Sequence, residues 1–182
     1  TCGVVTSGDA YCWGFQNSQV LGSKGPNAVA PRLVRGDLHF TSLSGYFTRV
    51  CGITTDQRVM CWGRDQFHPW QEFATGRYRT VSVGMSHVCA IATDDRAYCQ
   101  GQDNKFGQLG VGFFGGTPVG IAVVGDLRWR EVNVGWNFTC GRAMDHMVYC
   151  WGSGEDGHLG TPSDVSCFAT THRQVPCSAT PR

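Results

Sequence analysis

The chain has 182 residues, among them 25 Gly, 7 Pro and 10 Cys, with 16% charged and 41% hydrophobic positions and a formal net charge of +1. That hydrophobic share supplies a core and excludes a long disordered tail, while the near-zero charge removes the basic field that draws proteins onto phosphate backbones or anionic lipid. Apolar runs such as 119–124, interrupted by Gly120, fall far short of the roughly 20 residues that span a bilayer, so neither nucleic acid nor a transmembrane segment is expected.

Thr1-Cys2-Gly3 has no initiator Met and no charged-then-apolar leader, so the chain reads as a mature piece. From there every cysteine has a partner ten positions away: Cys2 and Cys12, Cys51 and Cys61, Cys89 and Cys99, Cys140 and Cys150, Cys167 and Cys177. Zinc sites need tighter ligand pairs, and the histidines do not complete a second half. Five disulfides are the expectation, and they require an oxidising compartment, outside the cytoplasm.

The first four pairs sit in an internal repeat, TCGVVTSGDAYCWG, VCGITTDQRVMCWG, VCAIATDDRAYCQG and TCGRAMDHMVYCWG, starting at residues 1, 50, 88 and 139. Each copy is a β-rich run, a polar turn (Ser7-Gly8, Asp56-Gln57, Asp94-Asp95, Asp145-His146) and a second β-rich run, the pattern of a hairpin with a three-residue loop. The register this sets puts Cys2 opposite Cys12. It also puts Tyr11, Met60, Tyr98 and Tyr149 opposite Gly3, Gly52, Ala90 and Gly141, with Trp13, Trp62, Gln100 and Trp151 on the same face. Both faces of each hairpin are therefore covered, as in a radial array of sheets.

Between hairpins, residues 39–43 before Gly45, 79–83 before Gly84 and 130–134 before Gly135 alternate with period two and predict one further strand per copy. Helical periodicity is absent. The last pair, Cys167 and Cys177, lacks the Trp-Gly ending and contains Pro176, which predicts a connector rather than a hairpin.

Gly84-Met85-Ser86-His87-Val88-Cys89-Ala90-Ile91, the Tyr-Cys-Trp-Gly endings, and Asn104-Lys105-Phe106-Gly107-Gln108-Leu109-Gly110 together resemble the regulator of chromosome condensation repeat family. Gly157-His158-Leu159-Gly160 and Val20-Leu21-Gly22 are partial versions of the last segment, and the second copy replaces it with residues 67–73. The resemblance implies an all-β partial β-propeller of about four blades built from disulfide-linked hairpin repeats, of a bacterial exported type. Its repeats run approximately 1–49, 50–87, 88–138 and 139–182 within one repeat domain, part of a longer propeller. It also places His87 at a buried, repeat-defining position.

Other motifs carry little chemistry. Gly152 to Gly157 satisfies G-x-G-x-x-G, but Leu159-Gly160-Thr161-Pro162 continues as turn where a dinucleotide site needs a helix. The acidic pairs at 94–95 and 155–156 read as solvated turns, not calcium loops. Asn137-Phe138-Thr139 is a glycosylation sequon that reads as a chance match in a bacterial exported protein. No nucleophile–base–orienter set, cofactor motif or metal set is visible. The position after the strand-ending glycine carries Tyr46, Met85 and Trp136, with Phe47 and Phe138 nearby. These either anchor a protein partner or pack under loops. The expectation is thus a non-enzymatic, periplasmic or secreted protein-binding or structural scaffold, an accessory subunit of a membrane-associated complex. The alternative is an inhibitor of an extracytoplasmic enzyme, since one bacterial branch of the family blocks β-lactamases with a propeller face.

Overall fold

A computed structural model of the chain describes residues 1–16, 19–23, 25–63, 66–71, 73, 76–168 and 174–182, with the backbone alone for 66–71. The described residues form β-strands and a single 3-10 turn at Glu155–Gly157, in two compact units, Thr1–Val83 and Gly84–Arg182. In the first unit, β1 (Cys2–Val4), β2 (Ala10–Gly14) and β3 (Ala28–Leu33) make one antiparallel sheet in that order. A second sheet follows from β4 (Phe40–Tyr46), β5 (Arg49–Thr54), β6 (Val59–Gly63) and β7 (Gln66–Gln71), with β8 (Tyr78–Val83) packed against β4 and β5. The second unit pairs β9 (His87–Ala92), β10 (Ala97–Gly101) and β11 (Thr117–Ala122) in chain order. Its other sheet contains β12 (Trp129–Val134), β13 (Phe138–Ala143), β14 (Val148–Ser153), β15 (Ser166–Phe168) and β16 (Gln174–Ser178), in the order β12-β13-β14-β16-β15.

The hairpin register is the one that the cysteine spacing sets. Cys2 faces Cys12, Cys51 faces Cys61, Cys89 faces Cys99 and Cys140 faces Cys150. All four pairs are disulfides with Cα atoms 4.0 or 4.1 Å apart, close together because each occupies a non-hydrogen-bonded position. A three-residue loop closes each hairpin through Val5 N–H to the Asp9 carbonyl, Thr54 to Arg58, Ala92 to Arg96 and Ala143 to Met147. The last loop residue is left-handed in every copy: Gly8 at φ 90, then Gln57 at 68, Asp95 at 66 and His146 at 70. Three copies therefore keep the turn without the glycine that makes it easy, because the cystine and the paired strands over-determine it.

The fifth cystine corrects the sequence expectation of a connector. β15 and β16 are hairpin strands with Cys167 opposite Val175, so Cys167–Cys177 is a diagonal link, Cα atoms 5.9 Å apart. Pro176 fits this strand because it faces Ser166 between the rungs of that ladder, where its missing N–H is not needed. Its carbonyl accepts from Gly154 N–H at 2.7 Å. Where the second copy was expected to differ, β6 pairs directly with β7, Gly63 opposite Gln66, so the outer strand follows at once; residues 64–65 lie outside the described ones.

Away from the cystine, the second and fourth hairpins each pack under a large side chain delivered by the strand beside them. A Cβ on Gly141 would lie 2.6 Å from Trp129 ring carbons, and one on Gly52 2.5 Å from Phe40 Cδ1. Those glycines are places for an aromatic ring, not turn formers. Phe40 then meets Trp62 at 5.6 Å between ring centroids, and Trp129 meets Trp151 at 5.3 Å, both tilted. Trp62, Trp129 and Trp151 are all buried to 1% exposure or less. Gly141→Ala is expected to cost about 1–3 kcal/mol, since the methyl must displace an indole that has no room to move. Urea unfolding measures it, and a loss well below that range would mean that Trp129 repacks freely.

The Val20-Leu21-Gly22 and Gln108-Leu109-Gly110 segments supply the other side of these tryptophans. Gly22 and Gly110 are left-handed, at φ 64 and 68, each ending a tight turn closed on the residue three back. A Cβ on Gly22 would stand 3.2 Å from the Trp62 indole, and one on Gly110 2.6 Å from the Trp151 Nε1. Leu21 and Leu109, at 1% and 0% exposure, complete each packing layer.

Candidate functional site

The turns that follow β4, β8 and β12 carry the aromatic and methionine side chains singled out from the repeat. In the second unit, Gly84 N–H bonds to the His87 carbonyl at 2.9 Å and Gly135 N–H to the Phe138 carbonyl at 2.8 Å, making two equivalent tight turns. The turns touch, because the space where a Gly84 Cβ would go is filled by the Gly135 carbonyl and the Val134 side chain. Met85 and Trp136 therefore follow the two glycines at this contact, on adjoining turns, 44% and 61% exposed. Phe138 begins β13, half-buried, and stacks on the His158 imidazole at 4.4 Å and 19°. Its ring is thus engaged within the chain and buttresses this edge.

A buried polar chain holds the edge rigid. His87 is 0% exposed and its Nε2 lies 2.8 Å from Thr139 Oγ1, whose hydroxyl donates to the Gln108 carbonyl at 2.9 Å. With that single hydroxyl proton spent, Thr139 accepts from His87, which fixes the Nε2–H tautomer. Gln108 in turn accepts from Phe106 N–H and donates to the Asp103 carbonyl. Asn104 accepts from Leu109 N–H and donates to the Phe113 carbonyl. The His, Asn and Gln of the repeat signature are therefore pins for the backbone, and the hydroxyl of the sequon threonine is one of them. The Ser86–His87 pair is not a nucleophile and base, since the His87 ring is turned inward to Thr139 and Cys89 is oxidised.

Burial holds the His87 imidazole down to a pKa of about 3, against an ordinary 6.5. Between those values the unfolded chain takes up a proton that the folded chain refuses. The stabilisation is therefore complete above pH ~6.5 and is lost as pH falls toward ~3, at up to ~1.4 kcal/mol per pH unit. His87→Gln should lower stability at neutral pH yet flatten this slope, as urea unfolding at pH ~7 and ~5 would read. An unchanged slope would show that His87 is not its source.

In the first unit, Tyr46 ends β4 and Phe47 occupies the turn to β5 with φ 45. They border a cleft of about 690 Å³ whose wall also includes Phe15, Leu43, Arg49 and Val50. Phe15 and Phe47 are 71% and 72% exposed, and Tyr46 37%. Sequence reasoning missed Phe15, whose signal was its place directly after the left-handed Gly14 (φ 109) that ends the hairpin. It also missed Phe113 and Phe114, 46% and 48% exposed on a loop flanked by Gly112 and Gly115, and Phe168, 67% exposed. Phe114 and Phe168 share the wall of a second cleft with Asp103 and Lys105. Among the described residues no group of three or more His, Cys, Asp or Glu side chains is placed to hold a metal ion. Among the same residues no helix is long and apolar enough to cross a membrane.

The family model of the Regulator of chromosome condensation (RCC1) repeat matches residues 145–181. The whole chain superposes on human WBSCR16 at a TM-score of 0.81 with 14% identity, covering 100% of this chain and 49% of that one. Prp20p from Saccharomyces cerevisiae aligns at 0.78 and 16% identity, over 99% and 47%. The ectodomain of the receptor kinase CR4 from Physcomitrella patens aligns at 0.62 and 19% identity, over 93% and 43%. The chain spans about half the length of the solved structures it matches. Its fold is that of RCC1-type β-propeller blades, a partial propeller in which each of four hairpins and the β15–β16 hairpin carries a cystine.

Proposed function

We propose that the chain is a non-enzymatic protein-binding scaffold working outside the cytoplasm, one repeat domain of a longer propeller and an accessory subunit of a membrane-associated complex. The observation that carries this reading is the pair of touching turns that presents Met85 and Trp136 to solvent on a backbone fixed by buried hydrogen bonds. Large, pre-ordered side chains lose little entropy on docking, which is why Trp and Met are enriched at protein contacts. All ten cysteines are oxidised in pairs, with none free, a state that persists in oxidising compartments. Of the similar proteins, Prp20 has been solved bound to Kap60, and its binding to Gsp1p and histones has been described. Protein recognition is thus a use to which this fold is put, though the partner here would differ with the compartment.

The test is cross-linking and affinity purification of the native protein from envelope and soluble fractions, repeated with Trp136→Ala. A defined membrane-complex partner that the wild type retains and the variant loses supports the reading. Recovery only as a free soluble chain, with no specific cross-link, overturns it.

A further inference from the structure

The third and fourth copies meet where the fourth departs from the repeat. Gly14 pairs with Ala28 and Gly101 with Thr117 across the connection that leaves each hairpin, but Gly152 pairs with Ser178. The added length is the β15–β16 hairpin with its own cystine. It packs on the third copy's connection, where Phe106 is buried with Cys167, Val175 and Cys177 and Gly112 N–H donates to the Ala179 carbonyl at 2.9 Å. Between the two segments lies an open cleft of about 540 Å³, walled by Phe114 and Phe168 with Gln102, Asp103 and Lys105 beside them. Both walls are fixed. Asn104, 1% exposed, donates to the Phe113 carbonyl at 2.8 Å, and a Cβ on Gly116 would lie 2.1 Å from the Gln102 carbonyl. Gly115 has open space around it but a φ of 131 that side chains avoid, so the turn displaying Phe114 requires a glycine. On the other wall, Phe168 follows Cys167, which the cystine ties to Cys177.

This cleft adjoins the turn that carries Met85. Gln108 Nε2 donates to the Asp103 carbonyl at 2.9 Å and to Ser86 Oγ at 3.4 Å, so one amide nitrogen bridges the cleft wall and that turn. Gly101, just ahead of Gln102, lies so close to the Ser86 carbonyl that a Cβ there would stand 2.7 Å from it. The lining then selects the occupant. Asn104 spends its side chain on Leu109 N–H and the Phe113 carbonyl, and Asp103 faces Lys105 at 3.7 Å, which leaves few groups to hold sugar hydroxyls. The Asp103 carboxylate is repelled by the anionic headgroups of a bilayer surface. Two phenyl rings with no polar handle suit an apolar side chain, and walls already ordered lower the cost of receiving it. We infer that the cleft receives an apolar side chain of an extended partner segment whose main chain continues over Met85 and Trp136. This rests on the proposed protein-binding role and adds the form of the partner, a strand of peptide laid across connections that the repeats hold in place.

The probe is a library of random peptides of about twelve residues, about 40 Å long when extended, displayed on phage and selected on the oxidised chain. Selected sequences should share apolar anchors. As synthetic peptides they should bind Phe114→Ser, Phe168→Ser and Trp136→Ala each about tenfold or more weakly than wild type by fluorescence anisotropy. Phe114 and Phe168 are 48% and 67% exposed, so all three variants should keep a thermal midpoint near that of the wild type. Weakening by Trp136→Ala alone overturns the inference and leaves the scaffold role standing, while weakening by the two phenylalanine variants alone overturns the shared segment. Selection that enriches no sequence overturns it, and the cross-linking test of the scaffold role is independent of that result. Binding of maltohexaose or of phosphatidylglycerol vesicles that depends on Phe114, in place of peptide, overturns it as well.

Discussion

Reduction of the five cystines is expected to unfold this chain at neutral pH without denaturant. Each pair is ten residues apart in sequence, and closing so short a ring removes on the order of 2.8 kcal/mol of unfolded-chain freedom in the loop-entropy account. Several such terms together reach the roughly 5–15 kcal/mol that is the whole stability of an ordinary domain. A single paired replacement, Cys89→Ala with Cys99→Ala, should cost about 3 kcal/mol or more, because both sulfurs are fully buried and their loss leaves a void as well. Non-reducing peptide mapping establishes the five pairs, and circular dichroism before and after reductant reads the unfolding. A reduced chain that keeps its β signal and cooperative melt would show that the aromatic layers alone hold the blades.

Trp151→Ala and Trp136→Ala should separate stability from binding. Trp151 is 0% exposed, 5.3 Å from Trp129 and seated on Gly110, so its truncation is expected to cost about 3–5 kcal/mol of folding free energy. Trp136 is 61% exposed on a turn. Its truncation should leave the thermal midpoint nearly unchanged while weakening partner binding by about 2 kcal/mol, roughly thirtyfold. Thermal melts and partner retention, measured side by side, decide it. If Trp136→Ala loses several kcal/mol of stability with binding intact, Trp136 is a core residue and the proposed face is wrong.

Much of the fold was legible because the period-two strand and a fixed cystine spacing admit one register. Once Cys2 faces Cys12, Gly3 must face Tyr11 and Trp13 must face Thr1, and the structure follows that arithmetic in all four copies. The site was less legible. Tyr46, Met85 and Trp136 could be matched by repeat position, but exposure depends on which turns meet, and only the structure brings Gly84 against Gly135. Phe138 shows the limit, since its stacking on His158 joins residues twenty apart with no periodic relation. Phe15, Phe113, Phe114 and Phe168 escaped notice because a phenylalanine in a glycine-rich loop reads alike whether it is buried or displayed.

Sequence by itself determined the β class, the four hairpins, their cystines and their two-faced pattern, because these follow from residue spacing along one strand and its immediate neighbour. It paired Cys167 with Cys177 but placed them in a connector, because this cystine is a diagonal link whose geometry depends on a two-residue offset between β15 and β16, and spacing cannot distinguish that from a connector. Only the tertiary structure decided why Gly52 and Gly141 are glycines, why His87 is neutral and inward, and which ring covers Gly22 and Gly110. Each of those is set by a ring or carbonyl arriving from a distant segment. A linear pattern records what a residue is next to in the chain, and packing depends on what reaches it through space.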